Sequence, residues 1–205
     1  MRHELGYMNR TQYELICGDC LEMMQFIPPA SVDMILTDLP YGSTKNDWDH
    51  ILDLEALWRE YEMVIKDNGV IALWAQSPFD KVLACSNLKH YRYEWVIEKT
   101  SATGFLNAHK MPMKAHEQIL IFYKKLPTYN PQMEYAGPHK RNHGRGKMEN
   151  QPVNNCYGDF VSLPTVISNE KFPKSVLNFP SEFPSVHPTQ KSERLLLIQA
   201  MMKCL

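Results

Sequence analysis

Strand-length apolar runs alternate with amphipathic helical segments along this chain, and that alternation constrains its fold more than any other feature. "VDMILTD" (32–38) and "VIALWAQ" (70–76) are continuous rather than alternating in polarity, as expected for strands buried on both faces of a parallel sheet. Between them "DLEALWREYEMVIKDNG" reads as a helix. Asp53 can cap it, Leu54, Leu57, Trp58, Tyr61 and Ile65 share one face, and Asn68-Gly69 ends it. Upstream, "YELICGD" predicts a strand at about 13–18, and "CLEMMQFI" a helix stopped by Pro28 and Pro29. Downstream, "SPFDKVLACSNL" predicts a helix with Ser77 as N-cap and Pro78 in its first position. "YRYEWVIEK" and "EQILIFYKK" then read as two strands around the loop "TSATGFLNAHKMPMKAH". The order strand, helix, strand, helix, strand, helix, strand pair specifies an α/β sheet with parallel strands and an antiparallel edge.

With 205 residues and a formal net charge of -1, the chain has the size of one domain with at most an appended subdomain, and no uniformly basic surface. A polyanionic partner must therefore be held by a local patch. No run approaches the roughly 20 apolar residues of a membrane span, and the N-terminus has no apolar signal core. A soluble, cytoplasmic protein is expected. The 5 cysteines are odd in number and scattered, which fits a reducing compartment. "CGDC" (Cys17 to Cys20) has no second ligand pair for zinc, and its acid disfavours a thiolate, so no metal site is expected.

From 128 to 172 the composition shifts to Pro, Asn, Gly and His, which reads as either a long functional insertion or a disordered linker. It contains "HKRNHGRGK" (139–147), an acid-free basic run that is either a solvated charge run or a phosphate-contacting element. The remaining segment, 173–205, carries a His-Pro-Thr turn and an amphipathic helix. This divides the chain into 1–127, 128–172 and 173–205.

Ligands of open α/β sheets bind beyond the carboxyl ends of the strands. Asp19 and Asp38 are both expected at such ends, although capping the next segment is an equal role for Asp19. Asp38-Leu39-Pro40-Tyr41 is more specific: an acid that accepts from an amine, a proline that stiffens the turn, and a flat aromatic face. Such a set suits a planar base with an exocyclic amine. Two acceptors, a carboxylate and a backbone carbonyl, would favour a pyramidal nitrogen whose lone pair is free to attack.

"DLPYG" resembles the D-P-P-Y signature of amino-methylating DNA methyltransferases, and "HPTQKS" (187–192) resembles the H-P-T-Q-K-P element of their beta class. The upstream "ICGDCLEMMQFIPPASVDMIL" is similar to that class's N-terminal pattern. The resemblance implies a Rossmann-like S-adenosylmethionine-dependent methyltransferase fold, truncated, with an irregular recognition insertion at 128–172. It implies that Asp38 and the Leu39 carbonyl hold the target amine, that Pro40 aims them, and that Tyr41 stacks on a base flipped out of the duplex. Asp19 and Cys20 would lie against the cofactor adenine, with Asp38 also at the cofactor. His187, Thr189, Gln190 and Lys191 would lie near its methionine end. Lys140, Arg141, Arg145 and Lys147 would contact double-stranded DNA. Asp in the first position of the motif favours adenine over cytosine, and Leu39 replaces the commoner proline. The family also allows a homodimer and a companion restriction nuclease.

Members of that class continue into an F-x-G-x-G cofactor loop, and no such motif occurs up to Leu205; "HGRGK" has glycines but no strand before it. Two expectations follow, a fragment of a longer enzyme or a decayed gene product. A non-catalytic DNA-binding remnant, and methylation of a protein or RNA amine, are the competing readings. An exposed edge on the shortened sheet would favour self-association.

Overall fold

The computed structural model describes residues 2–8, 11–44, 46, 47, 49–135, 137 and 169–179. Strands β1 (Arg2–Met8) and β2 (Thr11–Cys17) pair antiparallel, Arg2 opposite Cys17, in a two-stranded sheet of their own. The expected first strand thus exists, but it is half of a hairpin rather than a parallel member of the main sheet. Helix α1 (Cys20–Met24) follows, with Asp19 as its cap: Oδ1 accepts from the amides of Leu21 and Glu22 at 2.9 and 3.3 Å.

The main sheet is built from β3 (Val32–Asp38), β4 (Ile65–Ala75), β5 (Tyr91–Thr103), β6 (Lys114–Phe122) and β9 (Val176–Phe179). Its order is β3-β4-β6-β5-β9. β3 and β4 are parallel, as are β5 and β9, whereas β6 is antiparallel to both β4 and β5. The antiparallel strand is therefore inside the sheet, not at its edge. Hydrophobicity alone does not give a strand's direction. β3, at the end of the described sheet, is only half-buried, whereas β4 from Val70 to Ala75 and β6 from Glu117 to Phe122 are fully covered.

Alternation along β4 divides the core. Ile71, Leu73 and Ala75 face Leu57, Trp58 and Tyr61 of α2 (Leu54–Val64) and Phe79 and Leu83 of α3 (Phe79–Ser86). Val70, Ala72 and Trp74 pack on the other face with Trp95, Ile97, Ile119, Ile121 and Leu177. Leu57, Leu73, Leu83 and Phe122 are fully buried, so truncating any of them to Ala would cost about 2–5 kcal/mol.

Asp53 caps α2 through Glu55 and Ala56, as expected, but the helix ends at Val64 rather than at Gly69. Residues 66–69 instead form an irregularity where β4 joins β3, whose register passes from Val32 opposite Ile65 to Met34 opposite Val70. Gly69 is needed there, since a Cβ would lie 3.0 Å from the Asp33 carbonyl oxygen. α3 also departs from expectation: Pro78 occupies the cap position and no side chain caps it.

Contact density separates a second unit, Pro131–Lys174, from the rest. Its described part is the antiparallel pair β7 (Glu134–Tyr135) and β8 (Glu170–Lys171), with a Lys171–Glu134 ion pair at 2.9 Å. No described helix is long and apolar enough to cross a membrane.

Candidate functional site

The carboxyl ends of β3, β4, β5 and β9 and the start of β6 share one end of the sheet. Asp38 closes β3, in register with Trp74. The chain then turns sharply. Leu39 drops into the helix-side core, only 5% exposed, which anchors the turn by apolar burial where a second proline would have stiffened it. Tyr41 sits where both core clusters meet.

The Tyr41 hydroxyl donates to Asp38 Oδ1 at 2.7 Å, and its ring stacks on Phe79 with centroids 5.5 Å apart and planes at 26°. Burial, then the charge of Asp38 and the hydrogen bond to it, push the Tyr41 phenol far above its ordinary range. Glu117 and Asp49 add to that shift. Tyr41 is therefore a neutral donor at any working pH.

Sequence reasoning missed the group that holds this turn. Asp49, 6% exposed, accepts from the backbone amides of Gly42 (2.8 Å), Ser43 (2.9 Å) and Thr44 (2.6 Å). Burial by itself would raise its carboxyl, but hydrogen bonds from the Thr44 side chain and the three amides win and lower it to about 2. Gly42 has φ +63, and a Cβ there would meet Ile51 Cγ1 at 3.0 Å, so the clip closes only over glycine. Nothing in "STKNDWDH" marks Asp49 rather than Asp47 as the clip, because the distinction is spatial.

Phe79 was also missed, although an aromatic in the first turn of a helix beside a strand end is a usable signal. Its neighbour Asp80, 2% exposed, accepts from the Lys81 amide (2.9 Å), Lys81 Nζ (2.6 Å) and Gln118 Nε2 (3.1 Å), which ties α3 to β6. Lys99 pairs with Glu117 on the adjoining strands, and Lys114 Nζ donates to the Ser77 carbonyl at 2.9 Å.

Of the other expected residues, Cys20 acts on the ionisation of Tyr61, whose hydroxyl donates to Thr37 Oγ1, beside Asp38, at 3.4 Å. Asp19 and Cys20 follow β2, outside the main sheet, and Asp19 is engaged as a cap. Cys17 and Cys20 are exposed free thiols, and burial and then the charge of Asp19 raise the Cys20 thiol. Lys140, Arg141, Arg145, Lys147, His187, Thr189, Gln190 and Lys191 lie outside the described residues.

Among the solved structures that resemble this one, two match over 90% of its chain. M1.HpyAVI, solved as a SAM complex, matches with a TM-score of 0.50 and 18% identity over 90% of this chain and 74% of its own. PvuII DNA methyltransferase (cytosine-N4-specific) matches with a TM-score of 0.51 and 11% identity over 90% of this chain and 61% of its own. At such identities the likeness defines the fold, that of a Rossmann-like methyltransferase. A comparison with curated proteins found no match. The N6/N4 methyltransferase family model, described as DNA methylase, matches residues 32–202, and the chain belongs to that family.

Proposed function

We propose that this chain transfers a methyl group from S-adenosylmethionine to the exocyclic amine of adenine in double-stranded DNA. The observation that carries the reading is the joined pair Asp38 and Tyr41 at the end of β3, backed by Phe79. An acceptor oxygen lies beside an aromatic ring already braced on one face, which suits a flat base bearing an amine. Family membership and the SAM complex of a relative with the same fold support the cofactor.

S-adenosylmethionine, when bound, supplies an electrophilic methyl group. Asp38 Oδ1 and the Leu39 carbonyl accept the two amine hydrogens, which holds the nitrogen pyramidal and its lone pair localised. The methylated nitrogen has one proton to lose, which Asp38 would take and release to water. Tyr41 would stack on the extruded base, with Phe79 packed against its ring. Lys191, with His187, Thr189 and Gln190, would meet the cofactor's methionine end, and Asp19 and Cys20 its adenine. Lys140, Arg141, Arg145 and Lys147 would hold DNA phosphates within the recognition insertion. Asp rather than Ser at the head of the motif favours adenine.

Tritium transfer from labelled cofactor to genomic DNA, followed by separation of the nucleosides, tests this. Label in N6-methyldeoxyadenosine that falls at least about a hundredfold in Asp38→Ala, with DNA binding retained, is expected. Label in N4-methylcytosine would move the target to cytosine, and an Asp38→Ala chain of full activity would overturn the mechanism.

A further inference from the structure

The β5–β6 connection belongs to no role assigned so far. β4 ends at Ala75, opposite Gln118, and β9 at Phe179, opposite Lys99. β5 and β6 run on past both, pairing again at Thr103 and Lys114, so residues 100–115 leave the sheet as an arm. Every residue from 101 to 116 is exposed. The tip is nonetheless ordered: Asn107 N donates to Gly104 O (2.9 Å), Ala108 N to Phe105 O (3.1 Å), and Lys110 N and Met111 N to Asn107 O (2.8 and 3.0 Å). That turn leaves Phe105 and Leu106 72% and 82% exposed, and Met111 and Met113 on the same arm are exposed as well. Large apolar side chains gathered on an ordered, exposed tip mark a binding surface.

Charge selects the partner. Between Glu98 and Glu117 there is no acidic residue, and with Lys99 paired to Glu117 the stretch still carries His109, Lys110, Lys114 and His116 in a chain whose net charge is -1. A polyanion with apolar gaps answers both features, and a second copy of this near-neutral chain does not. Position agrees. The arm rises from the end of the sheet that carries Asp38, and Lys114 fastens its base to Ser77, two residues before the ring that braces Tyr41.

We propose that the arm is a DNA-contacting wedge: Phe105 and Leu106 enter the duplex where a base has been extruded, and His109 and Lys110 meet the flanking phosphates. The inference rests on the methylase reading, because extrusion leaves the gap that the apolar tip fills.

The test uses the full chain and two duplexes of one mixed sequence, intact or carrying a central abasic nucleotide as a ready-made gap. Binding is followed by fluorescence anisotropy. The wild-type chain is expected to prefer the gapped duplex by about tenfold, and the Phe105→Ala/Leu106→Ala variant to lose that preference with its melting temperature unchanged. Lys110→Ala should keep the preference and reduce the slope of log K against log salt by about 1. The proposal is overturned if the double variant keeps the preference, if the wild-type chain binds neither duplex, or if the variant changes only sedimentation, which would make the tip a contact between copies. Tritium transfer separates the two readings. Transfer with arm-independent binding sinks the wedge alone, and arm-dependent binding without transfer sinks the methylase reading alone.

Discussion

The hydroxyl of Tyr41 reaches back to Asp38 Oδ1 at 2.7 Å, so the acid and the aromatic of one turn form a single hydrogen-bonded unit. On the proposed reading, an incoming amine meets an oxygen that already accepts from that hydroxyl. Tyr41→Phe removes the competing donor and keeps the ring on Phe79, so DNA affinity should hold or rise and methyl transfer should stay within about tenfold. Tyr41→Ala removes the platform and should weaken binding by about 1–3 kcal/mol. Anisotropy titration and tritium transfer on both variants decide the point; a Phe variant as poor as the Ala variant would show that the hydroxyl itself is required.

Asp49 should govern the stability of the same turn. Asp49→Ala leaves three backbone amides without their shared acceptor and should cost about 1.5–3 kcal/mol, read as a lower melting temperature. Asp49→Asn keeps the shape and loses the charge, so an intermediate loss is expected.

The carboxyl of Asp49 also sets a pH dependence. Its folded value is lowered to about 2, below the roughly 3.9 of an unfolded chain. Its contribution is therefore complete above pH about 4 and disappears as pH falls through 2. Melting temperatures followed from pH 5 to 2 should show this loss in the wild-type chain and much less of it in Asp49→Asn.

Asp80 should matter through Gln118 more than through Lys81. The Lys81 ammonium is largely exposed and can turn to water, whereas the Gln118 amide is buried and would lose its partner in Asp80→Ala. A loss of about 1–3 kcal/mol is expected, and the double variant Asp80→Ala/Gln118→Leu should recover part of it. Chemical denaturation of the three chains measures the difference.

Phe79→Leu keeps an apolar side chain in the core but removes the ring behind Tyr41. About 0.5–1.5 kcal/mol of aromatic pairing should go, and base binding should weaken with it. If affinity for DNA is unchanged while stability falls, Phe79 is packing alone.

Much of the architecture was legible because its signals are local. Asp53 before an amphipathic run, Pro28-Pro29 after a short one, and continuous apolar strands each act within a few residues of themselves. The family resemblance, carried by "DLPYG" and "HPTQKS", is matched by the family model over 32–202. Misreadings came where a distant partner decided. "YELIC" has the composition of a core strand, yet it pairs with Arg2–Gly6. "KDNG" has the look of a helix end, yet it lies within β4, where Gly69 lets the chain pass the Asp33 carbonyl.

By itself the sequence determined the alternation of strands and helices, the caps, and the adjacency of Asp38 and Tyr41, since residues three apart in one turn cannot be far from each other. Tertiary structure alone decided that β6 runs antiparallel inside the sheet, that Phe79 braces Tyr41, and that Asp49 rather than Asp47 gathers the turn's amides. Those outcomes depend on which groups share a desolvated space after folding, and residue order does not encode that distance.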